Sequence, residues 1–124
     1  MTTELATLLT RAITDAPIDD AADQSRTRIL DAALDEAAAV GVDRLRVEDV
    51  VRRSGLGRMT VYRRFPKRED LVSALVVREC QRFLLCVAVG LQGDAPPEER
   101  TAVAFVEAMR FVRGHPLLRR VAET

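Results

Sequence analysis

The chain's 124 residues suffice for one compact domain, or a small module with part of a second, and exclude two full-sized domains. An apolar share of 48% with four Phe, one Tyr and no Trp requires a core of Leu, Val, Ile and Ala, a composition that favours helices. A formal net charge of zero excludes a uniformly basic nucleic-acid coat, yet the charges are unevenly spread. Residues 1–24 hold five acidic groups and one basic, whereas residues 52–68 hold seven basic groups (Arg52, Arg53, Arg58, Arg63, Arg64, Lys67, Arg68) and no acidic one. Lys67 is the only lysine. The preference for Arg suits phosphate recognition and equally follows from a GC-rich genome, so placement is the stronger signal.

In chain order, Leu5, Leu8, Leu9, Ala12 and Ile13 follow helical spacing behind Thr2 or Thr3, until Asp15, Pro17 and Asp19-Asp20 interrupt it. Residues 1–24 read as an extension, a short helix plus linker, either docked or disordered. From Ser25 the pattern strengthens: Ile29, Leu30, Ala33, Leu34, Ala37 and Val40 make one face of a first helix over 25–40, and Gly41 offers a left-handed end. Leu45, Val47, Val50 and Val51 mark a second helix over 47–54, closed by the turn Gly55-Leu56-Gly57. A third, Arg58 to Phe65, sets Met59 or Val61, together with Tyr62 and Phe65, at inward spacing before Pro66.

A fourth helix starts near Arg68, with Glu69 and Asp70 where the helix dipole favours negative charge, and runs to about Val89. Its middle is apolar nearly all round (Leu71, Leu75, Val76, Cys80, Phe83, Leu84, Val87), which predicts burial on more than one side. Gly90 to Pro97 reads as a loop. Glu98 and Glu99 open a fifth helix with Val103, Val106, Met109 and Val112 at apolar positions to Gly114, and Pro116 starts a sixth. No strand-like alternation interrupts this all-α pattern.

Two short helices joined by a glycine-bearing turn, the second dense in Arg with an aromatic at its centre, form the layout of a helix-turn-helix. The first helix braces; the second must be narrow and basic enough to enter a major groove. The run Arg28-Ile29-Leu30-Asp31-Ala32-Ala33, then Gly41, Val47 to Val51, Gly55-Leu56, Thr60-Val61-Tyr62-Arg63-Arg64-Phe65 and Lys67-Arg68-Glu69-Asp70-Leu71 resembles the tetracycline-repressor (TetR) family of bacterial regulators over residues 26–72. Four positions depart from that pattern. Arg46, Gly57 and Lys67 stand where the family usually caps helices with Thr, with Ser, and with Ser or Asn, respectively, and Ala37 where it often has Phe. Arg and Lys cannot accept a backbone N–H, so the second and fourth helices are expected to start less firmly.

The resemblance implies a three-helix DNA-binding domain at 25–70, followed at 71–124 by an incomplete helical ligand and dimerisation domain. It implies that Arg58 and Met59 face base edges and that Thr60, Tyr62 and Arg68 contact the DNA backbone, within a basic surface completed by Arg46, Arg63, Arg64 and Lys67. An Arg at the N-terminal end of a recognition helix can give guanine a bidentate contact. Tyr62 also fits a core-filling role, and Arg52, Arg53, Arg63 and Arg64 fit either a solvated face or phosphate contacts.

The expected partner is a double-stranded DNA operator, with a small-molecule effector, and with a second copy of the chain once the effector domain is complete. The alternative is a helical protein-interaction module without an operator. Apolar faces on the fourth helix (Val76, Leu84, Val87) and the fifth (Phe105, Val106, Met109, Phe111) are expected to lack full cover. No enzyme, cofactor or metal is indicated: the single histidine, His115, precedes Pro116 in a turn, and no ligand spacing occurs. Cys80 and Cys86 point to different sides of a helix and read as buried thiols of a reducing cytosol. No secretory leader pattern opens the chain, and its longest apolar run, Phe83 to Leu91, is too short to span a membrane, so a cytoplasmic protein is expected.

Overall fold

The computed structural model describes residues 20–122, with side chains from residue 23. The helical spacing read at Leu5 to Ile13 lies outside the described residues. Six helices follow in order: α1 Asp20–Val40, α2 Val47–Ser54, α3 Arg58–Arg64, α4 Arg68–Leu91, α5 Pro97–Gly114 and α6 Pro116–Ala122, with a 3₁₀ turn at Val42–Arg44. No strand occurs among the described residues. They group into two compact units, residues 20–79 with 115–122, and residues 80–114.

In the first unit, α1 begins five residues earlier than the Ser25 expected from periodicity. The stretch 20–25 holds no Pro or Gly, and Asp23 places negative charge in the first turn, so nothing forces a break there. Ile29, Leu30, Ala33 and Ala37 of α1 close over Leu45, Val47 and Val50, over Val61 of α3 and Phe65 just after it, and over Leu71 and Leu75 of α4. Ala37 is fully inaccessible, so its small side chain fits the space it has. Of the two inward candidates on α3, Val61 takes the core position and Met59 points out, 76% exposed.

The turns are set by glycine chemistry. Gly55 adopts the left-handed conformation (φ 70°, ψ 8°) that ends α2, and Arg28 Nη2 donates to the Ser54 carbonyl at 2.7 Å. Gly41 departs from the left-handed end expected of it. At φ 90° and ψ 154° it occupies a region that essentially only glycine enters, while its N–H donates to the Ala37 carbonyl at 2.8 Å.

The expected weak helix starts are met differently at the two sites. Arg46 provides no side-chain cap for α2, leaving Glu48 and Asp49 to face the dipole in the first turn. At α4 the Lys67 N–H donates to Asp70 Oδ2 at 3.1 Å, the returning half of a capping box.

Segment 115–122 packs back onto α1. His115 caps α6 by accepting the Leu118 N–H at Nδ1 (3.4 Å), and Leu117 lies against the core. Arg120 Nη1 donates to the Ala38 and Ala39 carbonyls at 3.3 and 3.0 Å, satisfying the C-terminal end of α1. The buried His115 is therefore more than a turn residue: its Nε2 lies 3.3 Å from Glu79 Oε2, and Arg78 joins Glu79 (2.9 Å) to Asp31 (2.7 Å).

The second unit pairs the distal part of α4 with α5. The helix continues through Gly90, which sequence alone assigns to a loop. A Cβ at Gly90 would sit 2.7 Å from the Ala104 Cα, so the missing side chain is what lets two helix backbones approach. Pro97 occupies the first helical position of α5, one residue before Glu98. Phe83 and Phe111 meet edge-on with centroids 5.7 Å apart. The burial expected all round α4 is not found. Leu71 and Leu75 are inaccessible, but Val76, Val77, Leu84 and Val89 are exposed, and so is Cys80, contrary to its reading as a buried thiol; Cys86 is half-buried.

Candidate nucleic-acid interface

Burial of Val61 and Phe65 fixes which side of α3 faces outward. Arg58 and Met59 at its N-terminal end are exposed, as are Arg63 and Arg64 in its last turn, while Thr60 and Tyr62 are half-buried. Gly57 precedes the helix in extended conformation (φ −65°, ψ 145°) without a side-chain cap. Lys67 and Arg68 follow at the exposed start of α4, and Arg46 stands exposed before α2.

Arg46, Tyr62 and Arg68 line one shallow cleft together with Arg44 and Glu48. Met59, Thr60, Arg63, Arg64 and Lys67 lie outside that lining. Arg68 is anchored in the fold: its Nε donates to the Leu45 carbonyl at 2.8 Å and its Nη2 to the Val42 carbonyl, tying the start of α4 to the turn before α2.

The remaining arginines separate into two kinds. Arg52 pairs with Asp49, and Arg53 with the buried Glu36, so both are engaged within the fold. Arg63 and Arg64 have no acidic partner among the described residues and stand exposed in the last turn of α3.

At the head of α3 three groups converge. Glu48 Oε1 lies 2.9 Å from Arg58 Nη2 and accepts the Tyr62 hydroxyl at 2.8 Å, while the Arg58 guanidinium sits over the Tyr62 ring, 5.4 Å from its centroid. The hydrogen bond to Glu48, aided by desolvation and by the carboxylate's charge, raises the Tyr62 pKa above its ordinary 10.0; Arg58 opposes the shift. Tyr62 thus packs its ring and engages its hydroxyl at once.

Sequence reasoning passed over Glu48, Arg28 and the Glu79–His115 pair. A carboxylate in a helix's first turn already has a local explanation in the dipole, and the acceptors of Arg28 and Arg68 are backbone carbonyls that no residue type announces. Among the described residues, no three His, Cys, Asp or Glu side chains are placed to hold a metal, and no helix is long and apolar enough to cross a membrane.

The family of bacterial regulatory proteins described as the tetR family matches residues 29–75. Two proteins of Mycobacterium tuberculosis, from strains CDC 1551 / Oshkosh and ATCC 25618 / H37Rv, are each described as an uncharacterized HTH-type transcriptional regulator. Each is 33% identical to this chain over 96 residues, a match covering 73% of the chain and 45% of the relative. The chain therefore spans about half the length of these curated relatives. No solved structure gives a significant match.

Proposed function

We propose that this chain, which belongs to the tetR family of bacterial regulatory proteins, is a transcriptional regulator that reads double-stranded DNA by inserting the N-terminal end of α3 into the major groove. The carrying observation is the polarity of α3: Val61 and Phe65 anchor one side in the core, while Arg58 and Met59 stand exposed at the leading end. In this reading Arg58 and Met59 contact base edges. Thr60 and Arg68 contact the phosphate backbone and Tyr62 packs its ring against the sugar-phosphate chain, its hydroxyl proton being given to Glu48; Arg46, Arg63, Arg64 and Lys67 flank them and add affinity without sequence information.

The action is repression in the cytoplasm, relieved by a small molecule bound in the helical region beyond the head. Two copies place their heads one turn of DNA apart, and the effector changes that spacing until the half-sites no longer fit. Catalysis has no part in it.

The experiment is selection of duplexes from a random pool, followed by titration of the selected duplex against a scrambled one of equal length. A shared sequence with clearly tighter binding to the selected duplex supports the reading. Weak binding without preference would overturn it and leave an interaction module in its place.

A further inference from the structure

Within that reading, and resting on it, we infer that Glu48 is a positioning residue for DNA readout: it holds Arg58 against the Tyr62 ring so that the arginine engages base edges in preference to phosphates. The constraint has three fixed parts. Val47 and Val50 are buried, so the α2 backbone that carries Glu48 does not drift. Glu48 Oε1 takes both Arg58 Nη2 and the Tyr62 hydroxyl, at 2.9 and 2.8 Å. The Tyr62 ring lies under the guanidinium, with the Arg58 carbon 5.4 Å from its centroid.

An unrestrained arginine has many rotamers and a dense choice of phosphates. One held through a single Nη2 hydrogen still offers a two-donor edge to a base, because the guanidinium carries five N–H groups and the second Nη2 hydrogen pairs with either Nη1 or Nε. A phosphate at Arg58 must approach the Glu48 carboxylate, where like charges repel. Glu48 therefore lowers affinity for DNA in general and raises the ratio between the preferred sequence and the rest.

The test compares wild type, Glu48→Gln, Arg58→Ala and the double variant on a duplex selected by the wild-type protein and on a scrambled duplex. Glu48→Gln is expected to tighten binding to the scrambled duplex and steepen its salt dependence by about 0.9, one added phosphate contact. The ratio of selected to scrambled affinity should fall about tenfold, within the range of one bidentate arginine–base contact. In the Arg58→Ala background Glu48→Gln should leave that ratio unchanged.

A DNA-free readout accompanies these titrations. Tyr62 is the only tyrosine and the chain has no tryptophan, so tyrosine emission comes from this site alone. Carboxylate acceptors quench phenol emission, and Glu48→Gln should brighten it. A ratio unaffected by Glu48→Gln, an equal effect without Arg58, or unchanged emission would overturn the inference while leaving the proposed function standing. A wild-type protein that selects no sequence overturns both.

Discussion

The head, residues 20–79 with 115–122, and the arm, residues 80–114, use similar apolar residues in different ways. In the head, Ile29, Val50, Val61, Leu71 and Leu75 are fully inaccessible and belong to one continuous cluster. In the arm the buried apolar side chains among the described residues are Ala88 and Ala104, while Val89, Val103 and Phe105 are 60, 51 and 66% exposed. The head thus closes a core with side-chain packing, although Val76, Val77 and Val121 at its margin stay exposed. Among the described residues, the arm shows close backbone approach at Gly90 and an edge-on aromatic pair. Helical periodicity locates apolar faces equally well in both, but it cannot say whether a face has anything to pack against.

The largest expected effect tests that contrast in the head. Leu71→Ala should destabilise it by about 2–5 kcal/mol in denaturant melts, because the site is closed on all sides, whereas Val103→Ala in the arm should stay within about 0.5 kcal/mol. Equal losses would erase the distinction. Next comes the close approach at Gly90 in the arm: Gly90→Ala places a methyl against the Ala104 backbone and should cost about 1–3 kcal/mol, read as early loss of helical signal or of hydrogen-exchange protection in 80–114. An unchanged arm would mean that the helices part freely there.

A smaller effect separates the arginines of the head. Arg68→Ala should lower stability by about 1 kcal/mol through loss of its carbonyl bonds, as well as weakening DNA binding. Arg63→Ala should leave the melt unchanged while lowering the salt slope of DNA binding by about one. The smallest effect is alkaline. The Tyr62 pKa is higher in the folded chain than its ordinary 10.0, so its stabilising share is complete below that value and lost as pH rises through the folded value. Melting temperature should therefore fall less steeply above pH 10.0 in Tyr62→Phe than in wild type.

Much of the head was legible because its signals are local: the glycine after α2, the valines of its buried face, and the Val61 and Phe65 spacing. Gly41 was recognised as a special position, but its conformation depends on how the chain leaves α1 for the 3₁₀ turn. The rest depends on tertiary partners. Gly90 resembles a helix breaker until the opposing Ala104 is seen, and Arg68 resembles a free surface cation until the Val42 and Leu45 carbonyls are placed. For the interface, sequence indicated which groups lie on α3. It did not show that Glu48 joins Arg58 to Tyr62, since that triangle spans α2 and α3.

The central claim is that α3 reads sequence through its leading arginine. The most direct measurement is the affinity of Arg58→Ala relative to wild type on the selected and scrambled duplexes at one salt concentration. The account predicts a loss of about 1–3 kcal/mol on the selected duplex and little change on the scrambled one, as a base-reading contact requires. Equal losses on both would make Arg58 a phosphate contact and contradict the claim.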